Sequence, residues 1–338
     1  KITAGALVFG NSTTGNIAVD NVNNTKATTL NGTGVTFQGS NSQFGSLTAN
    51  GPTTINNGVD ISTTAGNMAF NGAVTANAGA VQLGTTGGTL SFSSTVDGGA
   101  DLTLNPSGGT TFGGNVGAST ALESLTVNGT TTMNGTTVQA NNGVTFNGNV
   151  TANSGLTVNA DTDNSGGGTF TQQSGVLSTG GQALSITGQG VTLTGTLNSG
   201  TGTTTIAASQ NGAMSLGDAT GGLRLSNTDL GQITAGALVF GNGTGLITVD
   251  NVSNTLATTF NGTGTTFQTA NSQFGALTVS GPTTINNGID LSTTGGNMTF
   301  NGAVMADAGA VQLSTTGGNL SFSSTVDGGA DLTLMPSG

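Results

Sequence analysis

The chain has 338 residues, only 5% of them charged, with 61 glycines, four prolines and no cysteine, histidine, tryptophan or tyrosine. Three basic residues, Lys1, Lys26 and Arg224, stand against 14 acidic ones, for a formal net charge of −11. Nucleic-acid binding and docking on an anionic membrane both need clustered Lys and Arg, so neither partner is expected. Disulfide, thiolate and imidazole chemistry are absent with the residues that carry them.

A Gly-rich, weakly charged chain raises the alternative of low-complexity disorder. Against it stands the steady alternation of Leu, Val, Ile and Phe with Thr and Ser, which disorder does not require. Thr, Asn and Gly are poor helix formers, and the charged helix formers are nearly missing, so the chain reads as almost entirely strand and turn.

In chain order, Ala6–Phe9 is the first apolar stretch, and no apolar run approaches the roughly 18 residues of a spanning helix. Leu47-Thr48-Ala49-Asn50-Gly51 then introduces a phrase of two apolar residues flanking a polar or small one, closed by a turn pair. It returns as Met68-Ala69-Phe70-Asn71-Gly72, Leu125-Thr126-Val127-Asn128-Gly129 and Val144-Thr145-Phe146-Asn147-Gly148, with looser copies at Leu90, Leu184 and Leu277. Alternate residues of a strand face the same way, so the first and third positions should be buried. Asn-Gly then turns the chain, since both residues tolerate positive φ. Leu47 to Met68 is 21 residues, Met68 to Leu90 is 22 and Leu125 to Val144 is 19. Val74-Thr75-Ala76, Val81-Gln82-Leu83 and Leu90-Ser91-Phe92 read as successive sides of one such rung, with Gly-rich corners between. Spacing loosens after Ala160, where Asp161–Gly168 reads as a longer loop thrown outward.

A longer repeat contains this one. Residues 20–108 align with residues 250–338 at an offset of 230, with 18 differences over 89 positions. Upstream, Ile2–Gly10 matches Ile233–Gly241 at an offset of 231, a single deletion near Ser12–Asn16 intervening. The organisation is therefore residues 1–231 as a first long solenoid repeat and residues 232–338 as the start of a second, in one continuous solenoid. Exchanges such as Val59/Ile289 and Ile61/Leu291 keep an apolar residue, as buried positions demand, whereas Lys26/Leu256, Thr75/Met305 and Asn105/Met335 trade polar for apolar. If outward-facing, those three favour side-to-side packing.

A single rung cannot bury its apolar face, but stacked rungs make a continuous core. The expected fold is all-β: a right-handed parallel β-helix, or β-solenoid, with rungs of about 20 residues forming an extended rod. Apolar ladders would fill the inside, and stacked Asn and Thr would hydrogen-bond along it. A β-sandwich is the alternative. The matching ends further predict an array continuing before Lys1 and past Gly338, with open strand edges at both termini.

Candidate chemistry is sparse. Parallel β-helices include polysaccharide-cleaving enzymes, which generally need clustered acids or bases and aromatics for stacking on sugars. Here the acids are scattered, and Glu123 and Arg224 are the sole Glu and Arg, so no enzyme is expected. Asp97/Asp101 recurs as Asp327/Asp331 in a Gly-rich corner without the nine-residue period of calcium β-rolls. Asp161-Thr162-Asp163-Asn164-Ser165-Gly166 places Asp161, Asp163 and Ser165 at the first three ligand positions of a calcium loop, with Gly at the sixth. The twelfth position holds Gln172 where a bidentate Glu is wanted, and no helices flank it, so an acidic turn is the favoured reading over a weak calcium site. Otherwise no cofactor is expected. The runs Thr130–Thr132 and Thr203–Thr205 suggest an ordered Thr array, but rungs of varied length argue for Thr as a strand former.

The phrases Ser94–Leu104, Gly109–Gly117 and Ala121–Gly129 resemble the repeat regions of large bacterial exoproteins of the filamentous-haemagglutinin and autotransporter type. The resemblance covers essentially the whole chain and is specific for architecture more than for function. It implies a right-handed parallel β-helix, secretion through the outer membrane and a place outside the cell or on the bacterial surface. The expectation is a non-catalytic segment of a long fibre, sheath or adhesin stalk, partnered by further copies of the same repeat end to end or laterally. A module binding glycans or a surface through its side is the alternative.

Overall fold

The computed structural model describes residues 3–338; Lys1 and Ile2, at the expected open amino-terminal edge, lie outside them. The fold is a parallel β-solenoid of about 16 turns with roughly 21 residues per turn and almost no helix. It has two compact units: unit 1, Lys1–Gly180 with Thr194–Thr196, and unit 2, Gly181–Leu193 with Leu197–Gly338.

In unit 1 each turn contributes strands to three ladders, and every pairing is parallel. The first sheet runs Ala6–Gly10, Ala27–Asn31, Ser46–Ala49, Met68–Phe70, Leu90–Phe92, Thr110–Phe112, Thr131–Met133, Val150–Ala152 and Val176–Ser178. The second runs Asn16–Val19, Gly34–Phe37, Thr53–Ile55, Val74–Ala76 and Val96–Asp97. Bridges through Val116 carry it on to Thr137–Gln139 and Leu156–Asn159. The third runs Ser42–Phe44, Asp60–Thr63, Gly79–Thr85, Ala100–Pro106, Ser124–Val127, Val144–Phe146 and Thr169–Gln172.

Alternation decides the core. Phe70, Phe92, Phe146, Leu125, Val127, Leu184 and Ile186 are all buried, as the repeated phrase requires. The residue between each pair is half-buried rather than fully exposed, because the rungs before and after flank it. Equivalent residues stack from turn to turn: Phe70, Phe92 and Phe112 form a column with ring centroids 5.4 and 5.3 Å apart and planes within 10°. At the corners asparagines do the same. Asn71 donates to Asn50 (2.6 Å) and Asn50 to Asn31 (2.5 Å), while Asn147 donates to Asn128 (2.6 Å) and Asn128 to Asn105. Each link satisfies one amide donor with the next amide's carbonyl, so the ladder propagates the rung spacing.

The Asn-Gly corner differs from its sequence expectation. Of Gly51, Gly72, Gly129 and Gly148, only Gly129 has positive φ (87°). The others are glycine for space: a Cβ on Gly72 would meet the carbonyl carbon and oxygen of Gly51 at 2.6 Å. The corner backbones of successive turns pack too closely for any side chain.

In unit 2 a corresponding ladder runs Leu184–Gly188, Thr203–Ala208, Ala237–Phe240, Ala257–Phe260, Ala276–Val279, Met298–Phe300 and Leu320–Phe322. A further sheet includes Met214–Gly217, Leu246–Asp250, Gly264–Phe267, Thr283–Ile285 and Val304–Thr315. Its interruption is a five-residue helix, Asn227–Gly231, which strand-and-turn reasoning passed over. Ser226 caps it: its Oγ accepts from the Asp229 N–H (3.3 Å), and Asp229 Oδ2 accepts from the Ser226 N–H (2.8 Å). The Ser-x-x-Asp spacing of this capping box was the available signal. Among the described residues, Ala6–Gly10 and Val326–Met335 each pair on one side only.

Candidate functional site

The acids that looked scattered in sequence share one place in unit 1. Its seven carboxylates are Asp20, Asp60, Asp97, Asp101, Glu123, Asp161 and Asp163. Every one lies where the chain leaves the second sheet or enters the third. Asp20 follows the strand Asn16–Val19, and Asp97 ends Val96–Asp97. Asp60 opens its third-sheet strand, Asp101 is second in Ala100–Pro106, and Glu123 directly precedes Ser124–Val127. Asp161 and Asp163 sit between Leu156–Asn159 and Thr169–Gln172. The acidic groups thus run along one edge of the unit.

Most of these carboxylates hold a neighbouring turn. Asp20 Oδ1 accepts from the Ser40 N–H (2.9 Å), and Asp97 Oδ1 from the Ser119 N–H (2.8 Å). Asp101 Oδ1 accepts from Ser124 Oγ (2.7 Å), and Asp60 Oδ2 from Asn41 Nδ2 (3.2 Å). Glu123 accepts from the side chains of Asn141 and Asn142. The second repeat repeats the device at Asp250, whose Oδ1 accepts from the Ala270 N–H (2.8 Å). A carboxylate accepting backbone N–H bonds from the next loop satisfies donors that no strand can reach, and fixes that loop one turn away.

The calcium-loop candidates are arranged differently from a cation cage. Asp161 is fully buried, and its Oδ1 accepts from the Gly166 N–H at 3.4 Å. Asp163 and Ser165 are exposed, and Asp163 Oδ1 accepts from the Ser165 N–H (3.1 Å). Gln172, the residue at the twelfth position, is buried in the third sheet. There it stacks on Phe146, and its Nε2 donates to the carbonyls of Gly148 (2.9 Å) and Ser174 (2.6 Å). These residues build a turn. Among the described residues, no group of three or more Asp, Glu, His or Cys side chains is placed to share a metal ion.

Opposite in character is the first sheet. Its nine unit 1 strands contain no charged residue. Their central outward positions form one register-matched column: Val8, Thr29, Thr48, Ala69, Ser91, Thr111, Thr132, Thr151 and Ser178. The corresponding ladder of unit 2 carries Ser185, Thr205, Val239, Thr259, Thr278, Thr299 and Ser321, again without charge. Sequence reasoning missed this array because it tested Thr runs within a strand. The hydroxyls align between strands, across spacings that vary with loop length. Of the run Thr130–Thr132, only Thr132 belongs to the column, and Thr131 is buried. Beside the first sheet lies an open groove of about 570 Å³ lined by Thr25, Gly45, Ser46, Thr48, Gly66 and Gly87 among others, with no charged side chain.

The polar-to-apolar exchanges between the repeats are mostly outward. Lys26, Thr75 and Met305 are exposed and Met335 is 53% exposed, whereas Asn105 and Leu256 are half-buried. Leu256 lines a cavity of about 330 Å³ beside the short helix, together with Leu230 and Ile233. Among the described residues, no helix is long and apolar enough to cross a membrane. The chain matches no protein-family model, and no curated protein or solved structure matches it.

Proposed function

We propose that this chain is a structural, non-catalytic segment of a long extracellular fibre, sheath or adhesin stalk of the filamentous-haemagglutinin and autotransporter type, carried outside the cell or on the bacterial surface. The observation that carries the reading is the use made of the carboxylates. The groups best suited to acid–base or metal chemistry are spent on holding loops one turn apart, as with Asp20 and Ser40 or Asp97 and Ser119. A ladder in which most carboxylates serve a neighbouring rung gains length by adding rungs, because each repeat contacts only its neighbours. Its work is mechanical: spacing, stiffness and resistance to proteolysis. The test combines electron microscopy of the secreted parent protein with limited proteolysis. Filaments whose length follows repeat number, and strands that resist cleavage while loops such as 161–168 are nicked, are expected. Depolymerisation of a polysaccharide by the purified chain, abolished by Asp97→Asn or Asp101→Asn, would overturn the reading.

The uncharged groove beside the first sheet favours a second reading, a lateral module for neutral glycans. A glycan array read with Thr48→Lys as the control decides it. Hits lost in the variant support a binding module, and an array without hits leaves the structural reading alone.

A further inference from the structure

We propose that the charge-free first sheet of unit 1 is a self-docking surface, on which the same sheet of a second copy packs face to face. The proposal deepens the structural reading above and rests on it, by giving the fibre its lateral contact.

Charge is the first reason. With a net charge of −11, two copies brought together at random place carboxylates against carboxylates. In unit 1 all seven carboxylates lie between the second and third sheets, and none lies on the first. The first sheet is therefore the side where two acidic chains meet without acid facing acid. Among the described residues, Lys26 stands at its rim, directly before Ala27.

Commensurability is the second. The column Thr29, Thr48, Ala69, Ser91, Thr111, Thr132, Thr151 and Ser178 advances one strand spacing, ~4.8 Å, per turn. Hydroxyls on a partner pair with such a column over its whole length only if the partner repeats at the same interval. A second copy does so by construction. Side chains on this face are small, so two such sheets approach closely, γ-methyl against γ-methyl and hydroxyl to hydroxyl, as in the dry interfaces of paired cross-β sheets.

Area sets the strength of the contact. Nine strands make a strip roughly 40 Å long, and most of them have three residues, so the strip is roughly 10 Å wide. A face-to-face pair of strips thus buries about 800 Å² in total, short of the roughly 1,000 Å² at which stable specific interfaces begin. The association is accordingly weak for one pair and cumulative along an array.

The experiment is analytical ultracentrifugation of the full chain over a wide concentration range, with three variants. Thr48→Glu/Ser91→Glu/Thr132→Glu puts charge on alternate rungs of the face. Gln82→Glu/Thr126→Glu/Thr171→Glu adds the same charge to alternate rungs of the third sheet. Ser91→Cys places a lone thiol on the fifth of the nine strands, since the chain has no cysteine. In a two-fold face-to-face pair that thiol opposes itself. The wild type and the third-sheet variant are expected to associate alike, and the first-sheet variant about tenfold or more weakly, because like charges facing one another suppress pairing. Ser91→Cys is expected to give a disulfide dimer on mild oxidation, and a Gln82→Cys control to stay monomeric. Circular dichroism confirms that every variant folds. Monomers at all concentrations, equal weakening by both triple variants, or a face that instead retains the monomer on insoluble chitin or cellulose would each overturn self-docking. None of these outcomes touches the fibre reading, which stands or falls on filament length and the lack of hydrolysis.

Discussion

Replacing Thr265 by valine is expected to stabilise unit 2, although it removes a polar group from a chain rich in them. Thr265 is 2% exposed, and its Oγ1 has no hydrogen-bond partner. It faces inward in the column Ile247, Thr265, Thr283. Its counterpart in the first repeat is Val35, 1% exposed in the matching column Ile17, Val35, Thr53. The neighbouring threonines are satisfied, Thr53 donating to the Gly51 carbonyl at 3.2 Å and Thr283 to that of Gly281 at 3.5 Å. Threonine and valine share a β-branched shape, so the exchange swaps a hydroxyl for a methyl with little repacking. Burying an unpaired hydroxyl costs about 1–3 kcal/mol by mutational measures, and that is the expected gain for Thr265→Val. Val35→Thr should lose a similar amount in unit 1. The chain lacks Trp and Tyr, so intrinsic fluorescence is uninformative. Native-state hydrogen exchange is the better assay, because it reads opening free energy locally in a repeat fold. Slower exchange in Gly264–Phe267 and its two paired strands, and faster exchange around Gly34–Phe37 in the reciprocal variant, are the expected outcomes. A neutral or destabilising Thr265→Val would refute the reasoning, by showing that the hydroxyl contributes more than it costs.

Phe92→Ala removes the middle ring of the Phe70–Phe92–Phe112 stack and should cost about 3–5 kcal/mol in urea unfolding followed by circular dichroism; a loss within experimental error would mean that the column is not a core. Gly72→Ala should cost on the order of 1–3 kcal/mol, because overpacking at the Gly51 backbone forces the corner apart. Gly15→Ala, where no atom lies within 4 Å, should be near neutral, and equal effects at the two sites would argue against close corner packing. Calcium at millimolar concentration should leave the melting temperature unchanged; a rise abolished by Asp163→Asn would restore the weak calcium site at Asp161, Asp163 and Ser165.

How a residue meets its neighbours within one strand was legible from the amino-acid order. Alternation in a strand is local, so Leu125 and Val127 point inward whatever the rest of the chain does, and the same rule placed Phe92, Leu184 and Ile186. The parallel solenoid and its rung length followed from repetition of that phrase. Tertiary structure decided which residues about 20 positions apart meet, since that depends on the summed lengths of irregular corners. Spacings along the first sheet's column run from 19, Thr29 to Thr48, to 27, Thr151 to Ser178, so no fixed period reveals that these residues stack. The same summation gathers Asp20, Asp60, Asp97 and Glu123 along one edge, and leaves the first sheet free of charge. It also changes what a residue is for. Gly72 read as a turn former and serves as a gap, because the neighbouring turn's backbone occupies the space where a Cβ would be. Gln172 read as the residue that breaks the calcium-loop pattern at its twelfth position; it lies in the core, because its strand's register sets it on Phe146.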